Sequence, residues 1–439
     1  MWSGLHRAPG DDDGPFSVPR SYPTELPGLF GRLAQVPCQA GAKQWYGRRK
    51  GTDDERRFAR PGGAVSPTRQ GPAHRARLAV AGLGRMGMVH ATNVARRCPS
   101  AELVAVFDLR PDVAREAGER LGARVAPTYD DLLDSPEVDA VVVATPTGAH
   151  AEMAVRAAAA GKHVFCEKPL SLERVTTAEM VADIEAAGTN LQVGFHRRFD
   201  PPTAAVAARM RQGELGAPYL FRASQRDMSP PRPEFLAGSG GIFVDMGIHD
   251  LDLARWLLGE VVSVSARGTA LSSPGFQEIG DYDTAVVTLG FANGALGIVD
   301  LSRVAGYGYD SSVEVVGRAG TARIDEPFAY GYELRTPGTA ARPLVSSFDQ
   351  RYSAAFVAEM EDFARSVTEV RPPLVGGRDA LAAFDLAAAA AEAARSGTTV
   401  QPASSGTGTD DQPAGPAQAA GEHSGARTAA PNVKEVGTR

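Results

Sequence analysis

A chain of 439 residues with 43% hydrophobic and 7% aromatic content is long enough for two domains, each with a sizeable core. The formal net charge of -6 offers no basic footprint for nucleic acid, and no apolar run is long enough to span a bilayer. The three cysteines, Cys38, Cys98 and Cys166, include no CxxC pair for a zinc site or a disulfide framework, so the expectation is a cytoplasmic globular protein with no bound metal.

Residues 1–74 are rich in Gly, Pro, Arg and Asp without sustained periodicity, the pattern of a segment that cannot bury enough surface to offset its ordering entropy, and they are expected to form a disordered extension. No methionine separates Met1 from Met86, which adds the expectation that translation begins downstream of Met1. From residue 75 strands and helices alternate. "ARLAVAGLG" reads as a strand, "RMGMVHATNVARRC" as a helix, "AELVAVFDLR" as a second strand and "PDVAREAGERLG" as a second helix. "VDAVVVATP" follows as a buried strand, "GAHAEMAVRAAAAG" as a helix ending at Gly161, and "KHVFCEKP" as another strand. "SLERVTTAEMVADIEAAG" is a helix capped by Ser171 and closed by Gly188, and "LQVGFHRR" is the last strand. This order predicts a doubly wound parallel sheet, an α/β Rossmann domain, over residues 75–199.

After a short helix beyond Asp200 the pattern changes to strand-like runs: "PYLFRASQRD", "VVSVSARGTAL", "DTAVVTLGF", "GALGIVDLSR" and "SSVEVVGRAG". The Asn-Gly inside "FANGAL" is a hairpin signal. Residues 200–397 are therefore expected to form an α+β domain with a mostly antiparallel open sheet, closed by helices in "YSAAFVAEMEDFARSVTEV" and "GRDALAAFDLAAAAAEAARSG". Residues 398–439 return to Gly, Ala, Ser, Thr and Pro and are expected to be a disordered tail.

"GLGRMG" places Gly82, Gly84 and Gly87 in GxGxxG spacing directly after a strand and at the start of a helix. The first glycine permits the tight turn, the second lets a pyrophosphate approach the backbone, and the third lets helix and strand pack closely, while the helix N-terminus attracts phosphate. Asp108 ends the next strand at the distance expected of the carboxylate that binds the ribose diol, which favours NAD over NADP. Arg110, two residues on, tempers that preference, either as a phosphate ligand or as a solvated surface charge.

Lys168, in "CEKPLS", stands at the C-terminal end of a sheet strand, where open α/β sheets bind their ligands. In "SGGIFVDMGIHDLDLARWLLG", Val244, Ile248, Leu251 and Leu258 draw a buried helical stripe, and Asp245, His249, Asp252 and Trp256 recur at the same spacing on another. A lysine from one domain with an aspartate and a histidine from the other suits alcohol oxidation. Loss of hydride from a carbinol needs a base for the hydroxyl proton and a donor or cation for the developing oxygen charge. An imidazole, with an ordinary pKa near 6.5, lies closer to working pH than a carboxylate near 3.9. His249 is therefore the candidate base, Asp245 the group that orients its ring, and Lys168 the donor to the reacting oxygen. The competing reading is a hydrogen-bonded Asp245–His249 core pair that only anchors the helix; Gly240-Gly241 weighs against it by leaving room for a ligand as well as for a turn.

These residues resemble the glucose-fructose oxidoreductase, inositol dehydrogenase and MocA (Gfo/Idh/MocA) superfamily: "AGLGRMG", "VVVATPTGAH", "EKP" and "GGIFVDMGIHDLDLARW" stand in its order and spacing from about Arg75 to Gly397. "GGIFVDMGIHDLDLARWLLG", "DYDTAVVTL" and "SRVAGYGYDSSVEVVG" look most like the inositol 2-dehydrogenases, which oxidise myo-inositol to the 2-keto inosose with NAD. The resemblance implies the same roles for Lys168, Asp245 and His249. It implies cofactor contacts from Gly82, Leu83, Gly84, Arg85, Met86 and Gly87, and from Asp108, Thr145, Pro146, His150, Glu167 and Lys168; for His150, which opens the following helix, a structural role is the equal alternative. It also implies a polyol pocket bordered by Arg197, Tyr307 and Tyr309, whose plainer readings are a surface basic pair and loop aromatics packed on the sheet. It implies a homo-oligomer, a dimer or tetramer, formed through the open face of the second sheet. Other inositol isomers or a pyranose sugar are rival substrates, and a catalytically silent NAD-binding regulator is the rival of another class, against which the complete Lys168, Asp245 and His249 set argues.

Overall fold

The computed structural model describes residues 75–403 apart from 237, 273, 326–328, 330 and 331. The readings made for residues 1–74 and for the tail beyond residue 403 lie outside the described residues. Six parallel strands, β1 (Ala76–Ala81), β2 (Ala101–Phe107), β3 (Arg124–Val125), β4 (Ala140–Val143), β5 (His163–Cys166) and β6 (Leu191–Val193), lie in the order β3-β2-β1-β4-β5-β6. That order reverses between β1 and β4, which opens a crevice beyond their C-terminal ends, where doubly wound sheets bind ligands. β1 and β4 are almost wholly buried apolar runs, as strands covered on both faces should be. Helices α1 (Arg85–Arg96), α2 (Pro111–Leu121), α3 (Tyr129–Leu133), α4 (His150–Ala159) and α5 (Arg174–Ala186) connect them. β3 and α3 are too short for a periodic signal; α3 is fixed instead by a capping box between Thr128 and Asp131. α5 begins three residues after the expected cap, because Ser171 Oγ accepts from Glu173 N–H and closes a turn before the helix.

After α6 (Pro201–Arg211), a second sheet takes the order β12-β11-β7-β10-β9-β8. Its strands are β7 (Pro218–Arg226), β8 (Val261–Thr269), β9 (Thr284–Phe291), β10 (Leu296–Ser302), β11 (Asp310–Gly317) and β12 (Thr321–Ile324). All neighbours are antiparallel except β7 and β10, so the sheet is mixed with one parallel pair. The "FANGAL" hairpin joins β9 to β10, with Gly294 at φ 85° supplying the left-handed residue that closes the turn. One face of this sheet is buried and the other alternates outward, with Val262, Val286, Leu296 and Ile298 exposed.

Short helices α7 (Pro233–Leu236), α9 (Pro274–Glu278) and α10 (Phe348–Arg351) flank α8 (Ile248–Leu258) and the two long helices α11 (Ser353–Thr368) and α12 (Gly377–Ser396). α11 returns to the first sheet, where Met360, Phe363 and Ala364 join Leu78, Val80 and Phe165 in one core cluster. α12 packs on α8, β8 and α5, so it touches elements of both sheets. Main-chain pairing of Val400 with Val264 carries the chain past α12 along β8.

Candidate active site

The crevice is built first by backbone. Gly82 has φ 89°, and a side chain there would meet Ala144 and Thr145 backbone atoms at 2.7 Å, so the turn after β1 and the loop after β4 touch. A side chain at Gly87 would stand 1.8 Å from the Gly82 carbonyl oxygen, which is why helix and strand can approach so closely. At Gly84 nothing lies within 4 Å of the missing Cβ, which leaves open space at the N-terminus of α1, where the pyrophosphate of a dinucleotide belongs. The Thr145 hydroxyl, buried beside this turn, has no partner. Asp108 accepts from Leu83 N–H at 2.8 Å, which aims its carboxylate at the glycine turn. Arg110 donates to Asp108 from its backbone at 2.9 Å and its side chain at 3.0 Å, so it braces that carboxylate rather than reaching out alone. Partial burial opposes ionisation of Asp108, but the Arg110 and Leu83 hydrogen bonds outweigh it and hold the carboxyl below its usual range. An open cradle, an unpartnered hydroxyl and a fixed carboxylate fit NAD.

His150 is buried and ties the two loops together: its ring nitrogens lie 2.8 Å from the Thr145 carbonyl and 2.9 Å from that of Pro169. Glu167 is buried against α1, with Oε1 2.6 Å from His90 Nε2 and Oε2 accepting from Lys168 N–H at 3.2 Å. Burial opposes ionisation of Glu167, yet His90 and then Lys168 and His150 lower its carboxyl below the usual range. Glu167 and His150 therefore brace the lysine loop against the glycine helix. Pro146 leads into the short 3₁₀ turn Thr147–Ala149 at the mouth of the same crevice, and Leu83 is buried in the glycine turn. Arg85 stacks on Phe348 with its carbon 4.3 Å from the ring centroid and pairs with Asp349, and Met86 packs beside the same cluster.

Lys168 and Asp245 meet across the two sheets. Lys168, just beyond β5, donates from Nζ to the Asp245 carbonyl oxygen at 2.7 Å and lies 3.4 Å from its Oδ1. Asp245 sits in a π-helical turn, Phe243–Gly247, that precedes α8, a local over-wide turn that often marks a functional position. The structure corrects the expected Asp245–His249 hydrogen bond. Asp245 accepts at Oδ2 from Arg303 Nη1 at 3.0 Å and faces Lys168 with Oδ1, and two cations hold a carboxylate more strongly than a neutral imidazole does. His249 lies in the first turn of α8, between Phe195 and His196, with ring centroids 5.9 Å and 4.8 Å away. Burial, followed by the charges of Lys168 and Arg197 and by His196, pushes its imidazole well below the ordinary value, so it is neutral and able to accept a proton. Gly240 and Gly241, both at φ 81°, serve the turn: side chains there would press on Val244 and Leu172 in one case and on Asp281 in the other.

Of the remaining expected residues, Arg197 is only 2% exposed, so the surface-pair reading of "HRR" does not hold. Arg197 pairs with Asp250 at 2.5 Å and lies 3.5 Å from the Tyr309 hydroxyl, and Arg198 pairs with Asp252 at 2.8 Å. The acids that punctuate α8 are thus neutralised by the arginines that follow β6. Tyr309 is buried beside Tyr352, whereas Tyr307 is largely exposed, its hydroxyl donating to Asp310 at 2.6 Å. Sequence reasoning missed Arg303, fully buried and holding Asp245, and Asp227, which directly follows β7. Burial and the nearby Asp245 carboxylate push Asp227 up to about 6, against the pull of Arg303, Arg197 and Lys168. Neither carries a local signal, because each gains its role from strands distant in sequence.

A dinucleotide crevice with an amine, a carboxylate and a neutral imidazole gathered at its far end defines a two-domain nicotinamide-dependent oxidoreductase. Residues 76–195 match the family model described as an oxidoreductase family with an NAD-binding Rossmann fold, and residues 203–323 match the GFO/IDH/MocA C-terminal domain. The chain belongs to the GFO/IDH/MocA oxidoreductase family. It is 40% identical to a myo-inositol 2-dehydrogenase of Thermotoga maritima over 319 residues, 72% of this chain and 95% of that protein. It is 36% identical to a scyllo-inositol 2-dehydrogenase (NAD(+)) of Bacillus subtilis over 330 residues, 75% of this chain and 96% of that protein. A solved structure of a scyllo-inositol dehydrogenase from Lactobacillus casei with bound NAD(H) and scyllo-inositol superposes with a TM-score of 0.71 at 30% identity, covering 75% of this chain and all of that one.

Proposed function

We propose that this protein is an inositol 2-dehydrogenase that oxidises the secondary alcohol at C2 of myo-inositol to the ketone with NAD. The observation that carries the reading is the convergence of Lys168 on Asp245 beside a buried neutral His249, at the end of a crevice built for a dinucleotide. NAD, held by the glycine turn and Asp108, supplies the hydride acceptor. His249 takes the hydroxyl proton at an imidazole nitrogen as the hydride leaves, and its low basicity keeps it ready for the next proton. Lys168 donates to the reacting oxygen, and Asp245, anchored by Arg303, keeps the ammonium in place. Burial excludes water and strengthens these charges.

Relatives named for myo-inositol and for scyllo-inositol both match over most of their length, which favours the scyllo isomer as the second reading. The isomers present the same hydroxyls in different directions. Initial rates of NAD reduction on a panel of inositols and pyranose sugars test the assignment; a kcat/KM for myo-inositol below that for another isomer or a sugar overturns it. We further propose that the chain forms a dimer or tetramer, supported by the apolar outward positions Val262, Val286, Leu296 and Ile298 of the second sheet, and light scattering in solution tests this. A cytoplasmic setting is supported by Cys98 and Cys166, both free and buried, and cell fractionation tests it.

A further inference from the structure

A histidine that acts as general base needs a fixed tautomer, normally set by an acceptor on the nitrogen that faces away from the reaction. Asp245 does not provide one here, because both of its oxygens serve cations. His249 Nδ1 is nevertheless buried with no hydrogen-bond partner among the described residues. Leaving a buried polar atom unpaired costs about 1–3 kcal/mol, so the vacancy calls for an explanation. The other ring in contact with His249 is His196, which follows β6 at the start of the His196–Phe199 turn, with planes crossing at 65° and centroids 4.8 Å apart. His196 Nε2 is also buried and also without a partner. With its proton on Nδ1, His249 needs an acceptor there, and the Nε2 of a neutral His196 can be one. Around the rest of His196, Tyr352 and Phe356 pack on the ring at 4.8 Å and 4.5 Å, and the Tyr352 hydroxyl is bonded to Ser311. Burial and the neighbouring Arg197, Lys168, His90 and Arg351 push His196 well below the ordinary imidazole range, which keeps it an acceptor.

We propose that His196 is a positioning residue for the oxidation: its Nε2 accepts from His249 Nδ1–H and so leaves His249 Nε2 bare to take the substrate proton. No direct hydrogen bond joins the two nitrogens in this conformation; both are sealed from water, so the link forms through a rotation of the His249 ring. His196 thus does for this imidazole what a carboxylate does in a carboxylate–histidine pair, without bringing a negative charge into a cleft that must hold Lys168 beside the reacting oxygen. The proposal rests on His249 being the base, as argued above.

Two measurements test it. In protein labelled with 15N-histidine, His249 should show a protonated Nδ1 and a bare Nε2, and in His196→Phe the populations should move toward Nε2–H. In turnover with NAD and myo-inositol, His196→Phe should lower kcat about 10²-fold, the scale of a lost general-base contribution, with NAD affinity retained. His196→Gln, which restores an acceptor oxygen, should recover much of that loss, and His196→Met replaces the Phe variant should the larger ring not fold. An unchanged His249 tautomer in the folded Phe or Met variant overturns the proposal, as does a kcat equal to wild type. If the wild-type enzyme oxidises no inositol, the substrate reading falls, but the tautomer measurement still decides the role of His196.

Discussion

The glycine turn after β1 and the helix entry before α8 carry the two halves of the site, and they differ in how far a short stretch prescribes its own geometry. In the turn, two of the three glycines answer a steric demand from atoms close in sequence or on the adjoining strand: Gly87 against Gly82, Gly82 against Ala144. At the helix entry, Asp245 and His249 are near in sequence, yet neither serves the other; Arg303, Lys168 and His196 arrive from β10, β5 and β6 and decide what each does. Close sterics are local, whereas a charge selects its partner from everything the fold brings within reach.

That contrast can be broken at the reacting end. His249→Ala should lower kcat by about 10²–10⁴-fold while NAD still binds, measured by steady-state rates alongside cofactor titration. Unchanged turnover would remove His249 from the chemistry. At the cofactor end, Asp108→Ser should raise the ratio of NADP to NAD use by about 10–100-fold, the loss expected for hydrogen bonds to a charged group, and leave Lys168 and Asp245 untouched. If that ratio does not move, Asp108 does not hold the ribose.

Two smaller effects sharpen the comparison by pH. Because burial lowers the His249 pKa below 6.5, the neutral base persists into mild acid, and the acid limb of kcat/KM should fall below pH 6.5. The same limb should remain in Asp227→Asn, whose native carboxyl is pushed up to about 6; its disappearance would assign the limb to Asp227 instead. Glu359 on α11 is wholly buried with both carboxyl oxygens unpartnered, and burial followed by the charge of Glu167 raises it well above 4.5. A folded-state pKa above the unfolded one contributes stability that is full below about pH 4.5 and is lost as pH rises. Melting temperature should therefore decline with pH in the wild type and decline less in Glu359→Gln, by about 2 °C across the neutral range. Equal slopes would mean that Glu359 is already ionised in the folded protein throughout that range.

Much of this molecule was readable from residue order. The strand–helix alternation, the GxGxxG spacing with Asp108 beyond it, and Lys168 at a strand end all anticipate the crevice, because periodicity and turn sterics act over a few residues and leave their mark in short windows. The stripe through Val244, Ile248, Leu251 and Leu258 is buried as its spacing implies. What escaped that reading is how the polar groups pair. Arg197 and Arg198 looked like a surface basic pair until α8 brought Asp250 and Asp252 against them. Arg303 has no motif at all, and His196, inside the run read as the last strand, carries no signal that sets it beside His249. Electrostatic partners in a buried cleft are set by which strand ends face one another, and that depends on the packing of two sheets through α8 and α12, whose contacts join residues far apart along the chain.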